Sequence, residues 1–102
     1  MKIVRKMVPE KTIEEFAEQY GLVMEVCERG SDRLPGVPMF YAHFQNVEIK
    51  DGSTLISSSG NADTDEAAIY QYGKEISEKI IVVDAMKPTR KEIIAPRIVA
   101  RS

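Results

Sequence analysis

Between Phe40 and Ile80 the hydrophobic period switches from that of a strand to that of a helix, and this switch limits the fold more than any other feature. Phe40, Ala42 and Phe44 alternate with Tyr41, His43 and Gln45, a period of two. Aromatic residues at both phases suit a pleated, half-buried surface. From Val47 the apolar phase slips, because Val47 and Ile49 lie on the register of Tyr41. A bulge near Gln45-Asn46 is the expected repair, since one extra residue reverses the facing of all that follows. Asp51-Gly52 predicts a two-residue hairpin turn, whose backbone needs positive φ. The return strand is expected over Thr54–Ser59, with Ser57, Ser58 and Ser59 on a solvated or partner-touched surface. Gly60-Asn61-Ala62 should then break that strand.

Asp63 or Thr64 is placed to cap the following helix, and Asp63-Thr64-Asp65-Glu66 reads as a capping box. Ala68, Ile69, Tyr72, Ile76 and Ile80 recur at helical spacing and mark the buried stripe. Gly73 inside this helix costs roughly 1 kcal/mol against alanine, which predicts close approach of the sheet there. Upstream, Lys2–Val8 reads as a short strand stopped by Pro9. Thr12-Ile13-Glu14-Glu15 opens a helix to Tyr20, and Gly21 ends it. A strand follows over Leu22–Glu28, with Glu25 and Cys27 on one face and Met24 and Val26 on the other. Residues 30–38 form a loop by composition, the segment expected to be most mobile, with Arg29 and Arg33 the only positive charges in the first half of the acidic body. Downstream, Lys79–Asp84 reads as a last helical turn passing into a strand. The apolar pairs Ile93-Ile94 and Ile98-Val99 can add an edge strand or fold onto a second copy, which leaves room for a homodimer. The expected class is α+β: a helix, a three-stranded antiparallel sheet and a helix over residues 12–80, with short extra strands at both termini.

A length of 102 residues suits one domain, 1–102. Cys27 is the single cysteine, so the chain forms no internal disulfide. No apolar run reaches the length of a membrane span and no signal-peptide core opens the chain, so a cytoplasmic protein without membrane contact is expected. Charge is unevenly spread. Lys2, Arg5, Lys6 and Lys11 face only Glu10 in the first eleven residues. Lys87, Arg90, Lys91, Arg97 and Arg101 face only Glu92 in the basic extension 86–102. Residues 12–85 hold fourteen acids and five bases. Such a body repels phosphate backbones while its ends attract them, unless the ends lie on the body and screen it.

Candidate chemistry is sparse. His43 is the only histidine and has no second metal-ligating partner in sequence, so no metal or cofactor is expected. Cys27 lacks a neighbouring base and reads as a packed or half-exposed thiol. Ser57-Ser58-Ser59-Gly60-Asn61 precedes a helix N-terminus, where amides and dipole favour anions. Asp63, Asp65 and Glu66 already occupy that end, so capping is the expected role. Tyr20, Phe40, Tyr41, Phe44, Tyr70 and Tyr72 read mainly as core, with Tyr41 and Tyr70 the most exposed. Convergence of His43, Cys27 and acidic side chains in a deep cleft would signal chemistry instead.

The order helix, three strands, helix resembles the double-stranded-RNA-binding-domain fold over about Thr12 to Lys79. That family grips phosphates with lysines at the start of its second helix. Here those positions read Thr64-Asp65-Glu66-Ala67-Ala68, a departure that argues against duplex binding. From Phe40 to Ile76, a strand pair followed by a helix opening Thr-x-Glu-Ala resembles HicB-type antitoxins, which neutralise a small RNase. Tyr41-Ala42-His43-Phe44 and Val47-Glu48-Ile49-Lys50-Asp51-Gly52 are similar in style to short proteins of phages and prophages. The resulting expectation is a non-enzymatic, phage-like module acting through protein contacts at Asp63, Asp65, Glu66, Tyr70 and Glu75. The alternative is a nucleic-acid-binding accessory using Lys2, Arg5, Lys6, Lys87, Arg90, Lys91 and Arg97.

Overall fold

The computed structural model describes residues 10–30 and 34–100. Among these, the elements in order are β1 (Glu10–Thr12), α1 (Ile13–Tyr20), β2 (Met24–Glu28), β3 (Phe40–Phe44), β4 (Val47–Asp51) and β5 (Thr54–Ile56). They continue with β6 (Gly60–Ala62), α2 (Asp65–Ile76), β7 (Ile80–Val83), β8 (Lys91–Ile94) and β9 (Arg97–Val99). The class is α+β. The strands make a three-stranded antiparallel sheet in the order β2-β3-β6, a four-stranded antiparallel sheet in the order β5-β4-β7-β8, and a parallel pair β1-β9.

The phase slip at Gln45-Asn46 is therefore no bulge in one long strand. β3 and β4 belong to different sheets, and Asn46 turns the chain between them with φ 58°. Asparagine tolerates that left-handed backbone because its short polar side chain bonds locally. The expected three-stranded sheet also has a different third member. Thr54–Ile56 pairs with β4 in the other sheet, and Gly60–Ala62, expected to break a strand, is itself the strand beside β3. Ser57–Ser59 forms the link between the two. The strand at Lys2–Val8 and the loop centre at residues 31–33 lie outside the described residues.

Local signals explain the helices. Thr12 accepts from the Glu15 amide at 3.2 Å while Glu15 accepts from the Thr12 amide at 3.0 Å, a complete capping box. Gly21, with φ 65°, closes α1 in the left-handed region. In α2 the cap is Thr64, which accepts from the Ala67 amide at 3.2 Å. Glu66 stands one place too early to complete a box, and Asp65 instead accepts from the Glu66 amide at 2.8 Å. Ile80 has left the helical stripe and begins β7.

The core joins the sheets to both helices. Phe16, Phe44 and Tyr72 form its aromatic centre, with Phe44 and Tyr72 edge to face at 5.4 Å and 82°. Ile49, Ile81 and Ile93 fall in one cross-strand row and are all buried. The buried set runs on past residue 80 to Ile81, Val82, Ile93, Ala95 and Ile98, so much of the C-terminal segment is core. The closest approach of helix and sheet is at Gly60, where a Cβ would collide with the Ala68 carbonyl and the Tyr72 amide. Gly73 makes room for the Ile98 side chain of β9, whose Cγ2 would lie 2.8 Å from an added Cβ.

Candidate functional site

The acidic residues singled out at the entrance to α2 and along it do not form one patch. Asp63 is exposed and accepts from the Met39 amide at 3.3 Å, tying the loop before β3 to the helix entrance. Asp65 serves the helix terminus. Glu66 and Tyr70 face a groove of ≈ 490 Å³ between α1, α2 and β9, together with Ile13, Glu14, Ile69, Gly73, Ile98 and Val99. Lys74 stands 4.7 Å above the Tyr70 ring, a cation–π contact that holds the ring at the rim. Glu75 lies elsewhere, in a depression it shares with Ile49, Lys50, Ile56 and Lys79. Glu14, part of the first capping turn, joins the site unannounced by the sequence, because only the packing of α1 against α2 brings it to Glu66.

The basic residues are mostly engaged. Lys87 is 3.9 Å from Asp84, and Arg90 is 3.5 Å from Glu92. Arg97 reaches Glu10 at 3.5 Å and Glu78 at 3.9 Å. Lys91 lies 5.7 Å from the Tyr20 ring centroid. Glu92 also takes Lys50 at 3.1 Å, and that hydrogen bond, with the nearby Lys50 and Arg90 charges, holds its carboxyl below the usual range. Lys2, Arg5 and Lys6 lie outside the described residues.

A second arrangement occupies the face of β2, β3 and β6 turned away from the helices. Register sets Cys27 beside Tyr41, Tyr41 beside Asn61, and Glu25 beside His43. Arg29 spans this face: it donates to the Pro38 carbonyl at 2.7 Å and to Asn61 Oδ1 at 2.6 Å, with its guanidinium 4.7 Å from the Tyr41 centroid. Tyr41 and His43 stack with centroids 6.5 Å apart and planes 14° from parallel. A hydrogen bond with Cys27 raises the Tyr41 pKa, and the Cys27 charge and burial add to the shift. Cys27 in turn donates to Glu25 at 3.5 Å. His43 and Cys27 thus share a face with an acid, but that face is open.

From Tyr41 and His43 onward this face borders a second cleft of ≈ 490 Å³ between the two larger sheets, lined by Tyr41, His43, Asn46, Glu48, Ser57–Ser59 and Asp84–Lys87. Cys27 and Glu25 are not part of its lining. The Tyr41–His43 alternation was visible in sequence; the cleft was not, because it depends on β4 leaving for another sheet. Among the described residues no group of three or more His, Cys, Asp and Glu side chains converges to hold a metal ion. No described helix is long and apolar enough to cross a membrane. No protein-family model, no curated protein and no solved structure matches this chain.

Proposed function

We propose that the protein is a non-enzymatic binding module that receives a segment of another protein in the groove between α1, α2 and β9. The observation that carries this reading is the make-up of the groove. Ile13, Ile69, Ile98 and Val99 supply an apolar floor, and Glu14, Glu66 and Tyr70 stand around it. Such a floor seats aliphatic side chains, and tyrosine is a frequent interface anchor. Two rim carboxylates favour a segment that also brings lysine or arginine, through complementary charge. A HicB-like antitoxin is a special case, in which the bound protein is a small RNase. A phage-borne origin and action in the cytoplasm fit the same setting. The basic-ends alternative is weaker, because Lys87, Arg90 and Arg97 each have a carboxylate within 4.0 Å that a phosphate would have to displace.

Affinity capture from the cognate cell, with nuclease treatment in one arm, tests the reading. Recovery of a protein should survive nuclease. The double reversal Glu14→Lys with Glu66→Lys should lower it by about tenfold, the scale of ~1.4 kcal/mol. Glu75→Lys, outside the groove, should leave it unchanged. Undiminished capture by the double reversal would sink the groove as the interface.

A further inference from the structure

We propose that the cleft between the two larger sheets binds a nucleobase rich in N–H donors, stacked against His43 and held by the Glu48 carboxylate. This site is separate from the groove on α2 and does not rest on it.

Three flat groups stand in line on the open face of β2-β3-β6. Arg29 comes one step before Tyr41 along the strand direction and His43 one step after it, as the pairing of Arg29 with Met39 and of Glu25 with His43 requires. The guanidinium stands over the Tyr41 ring at 4.7 Å, and His43 lies nearly parallel to that ring at 6.5 Å. Tyr41 and His43 both line the cleft. The imidazole is fixed in orientation: Nδ1 lies 3.0 Å from the Phe44 carbonyl oxygen. A carbonyl only accepts, so Nδ1–H is the donor, and in the neutral ring Nε2 is left as an acceptor. A ring fixed in this way is a platform for another ring, since stacking tolerates any flat π-face.

The size of the cleft and its walls narrow the ligand. A volume of ≈ 490 Å³ lies within the range of small-molecule sites and holds a base with its sugar. Glu48, half-buried on β4, lines it and forms no side-chain hydrogen bond or ion pair among the described residues. A carboxylate beside a stacking surface selects paired N–H donors. Guanine presents such a pair, N1–H and the exocyclic amine, side by side. The Ser57–Ser59 hydroxyls suit a ribose, which both donates and accepts. Phosphate is disfavoured, because Glu48 and Asp84 line the same walls and Lys87 is already 3.9 Å from Asp84. The ligand is accordingly a nucleoside or free base and not a nucleotide chain.

His43 is the only histidine, so its imidazole C–H signals in a proton NMR spectrum are a single, assignable reporter. Titration with guanosine should shift them upfield and saturate. Inosine, which lacks only the exocyclic amine, should bind about tenfold more weakly, the effect of one lost hydrogen bond to a charged acceptor. Guanosine 5′-monophosphate should bind more weakly than guanosine. Glu48→Ala, which removes the acceptor, should abolish the difference between guanosine and inosine while near-UV circular dichroism stays unchanged. The proposal fails if guanosine gives no saturable shift up to its solubility. It also fails if inosine binds equally, if the monophosphate binds more tightly, or if the difference survives Glu48→Ala. Should that variant not fold, the guanosine–inosine comparison on the unmodified chain decides the matter alone.

Discussion

The two faces of the β2-β3-β6 sheet are built from alternate residues of the same short strands and obey opposite rules. Toward the helices, Ala42 and Phe44 are fully buried, and Gly60 lets the backbone of α2 lie almost on the strand. Away from them, Glu25, Cys27, Arg29, Tyr41, His43 and Asn61 make a connected set of hydrogen bonds and stacked planes. The period of two in β3 produces both at once. On the covered face position is enforced by volume, and nothing polar is needed. On the open face position is enforced by directed contacts, each worth little alone, so side chains stay available to a ligand. A packed face should break at single atoms, and a networked face should yield in small steps.

Gly60→Ala is the most severe way to test that contrast. The added Cβ would meet the Ala68 carbonyl, the Tyr72 amide and, at 2.8 Å, the Tyr72 Cα. All three belong to the backbone of α2, so no side chain can rotate away and the helix must lift from the sheet. Urea denaturation should show a loss of about 3 kcal/mol or more. Asn61→Ala, one residue on and facing the other way, loses its hydrogen bond with Arg29 and should cost about 1 kcal/mol. Equal losses at the two positions would erase the distinction between the faces.

The tyrosines give a second, smaller test in alkali. Tyr72 is 1% exposed, and burial pushes its pKa up to about 12, against a weaker opposing hydrogen bond with the Phe44 backbone. An unfolded tyrosine loses its proton near pH 10. Between pH 10 and about 12 the unfolded chain therefore releases a proton that the folded chain keeps, and unfolding gains. The contribution is intact below pH 10 and is lost as the pH climbs through that window, by about 2–3 kcal/mol in all. Thermal melts across the window should show a shallower fall for Tyr72→Phe than for the unmodified chain. Tyr41 also has a raised pKa, through its bond with Cys27 on the open face, so Tyr41→Phe should flatten the fall less. A larger effect from Tyr41→Phe would reverse the assignment of packing to one face and network to the other.

Much of the covered face was legible in sequence, and most of the open face was not. Alternation placed Ala42 and Phe44 together, and helical spacing placed Ala68, Tyr72 and Ile76 on the stripe that meets them. Thr12, Glu15 and Gly21 announced α1 because capping is a local event within four residues. What escaped was pairing between distant segments. The Gly60 strand is too short to show a period, and its glycine reads as a breaker until a helix is known to lie against it. The C-terminal pairs Ile93-Ile94 and Ile98-Val99 suggested strands, but not that Ile93 and Ile98 complete the core beside Ile81 and Phe16. For the sites, Glu66 and Tyr70 were singled out from charge and position alone. Glu14 and Glu48 were not, because a carboxylate's use depends on what folds opposite it.

The smallest expected effect is at Arg29, and it bears most directly on the open face. Arg29 holds the Pro38 carbonyl, Asn61 and the Tyr41 ring at once, three contacts that a planar fork makes together and an ammonium does not. Arg29→Lys keeps the charge and removes the fork. Stability should fall by about 1 kcal/mol, since the residue is half-exposed and water replaces part of what is lost. The more telling readout is local. With the guanidinium gone from one side of Tyr41, its ring is less constrained, and the His43 C–H signals should move although His43 does not touch Arg29. If those signals stay in place while stability drops, Arg29 merely anchors the loop to Pro38, and the line of flat groups is not a mechanical unit. If they move and guanosine binding weakens with them, the open face is one pre-formed surface, set by directed contacts in the way the covered face is set by volume.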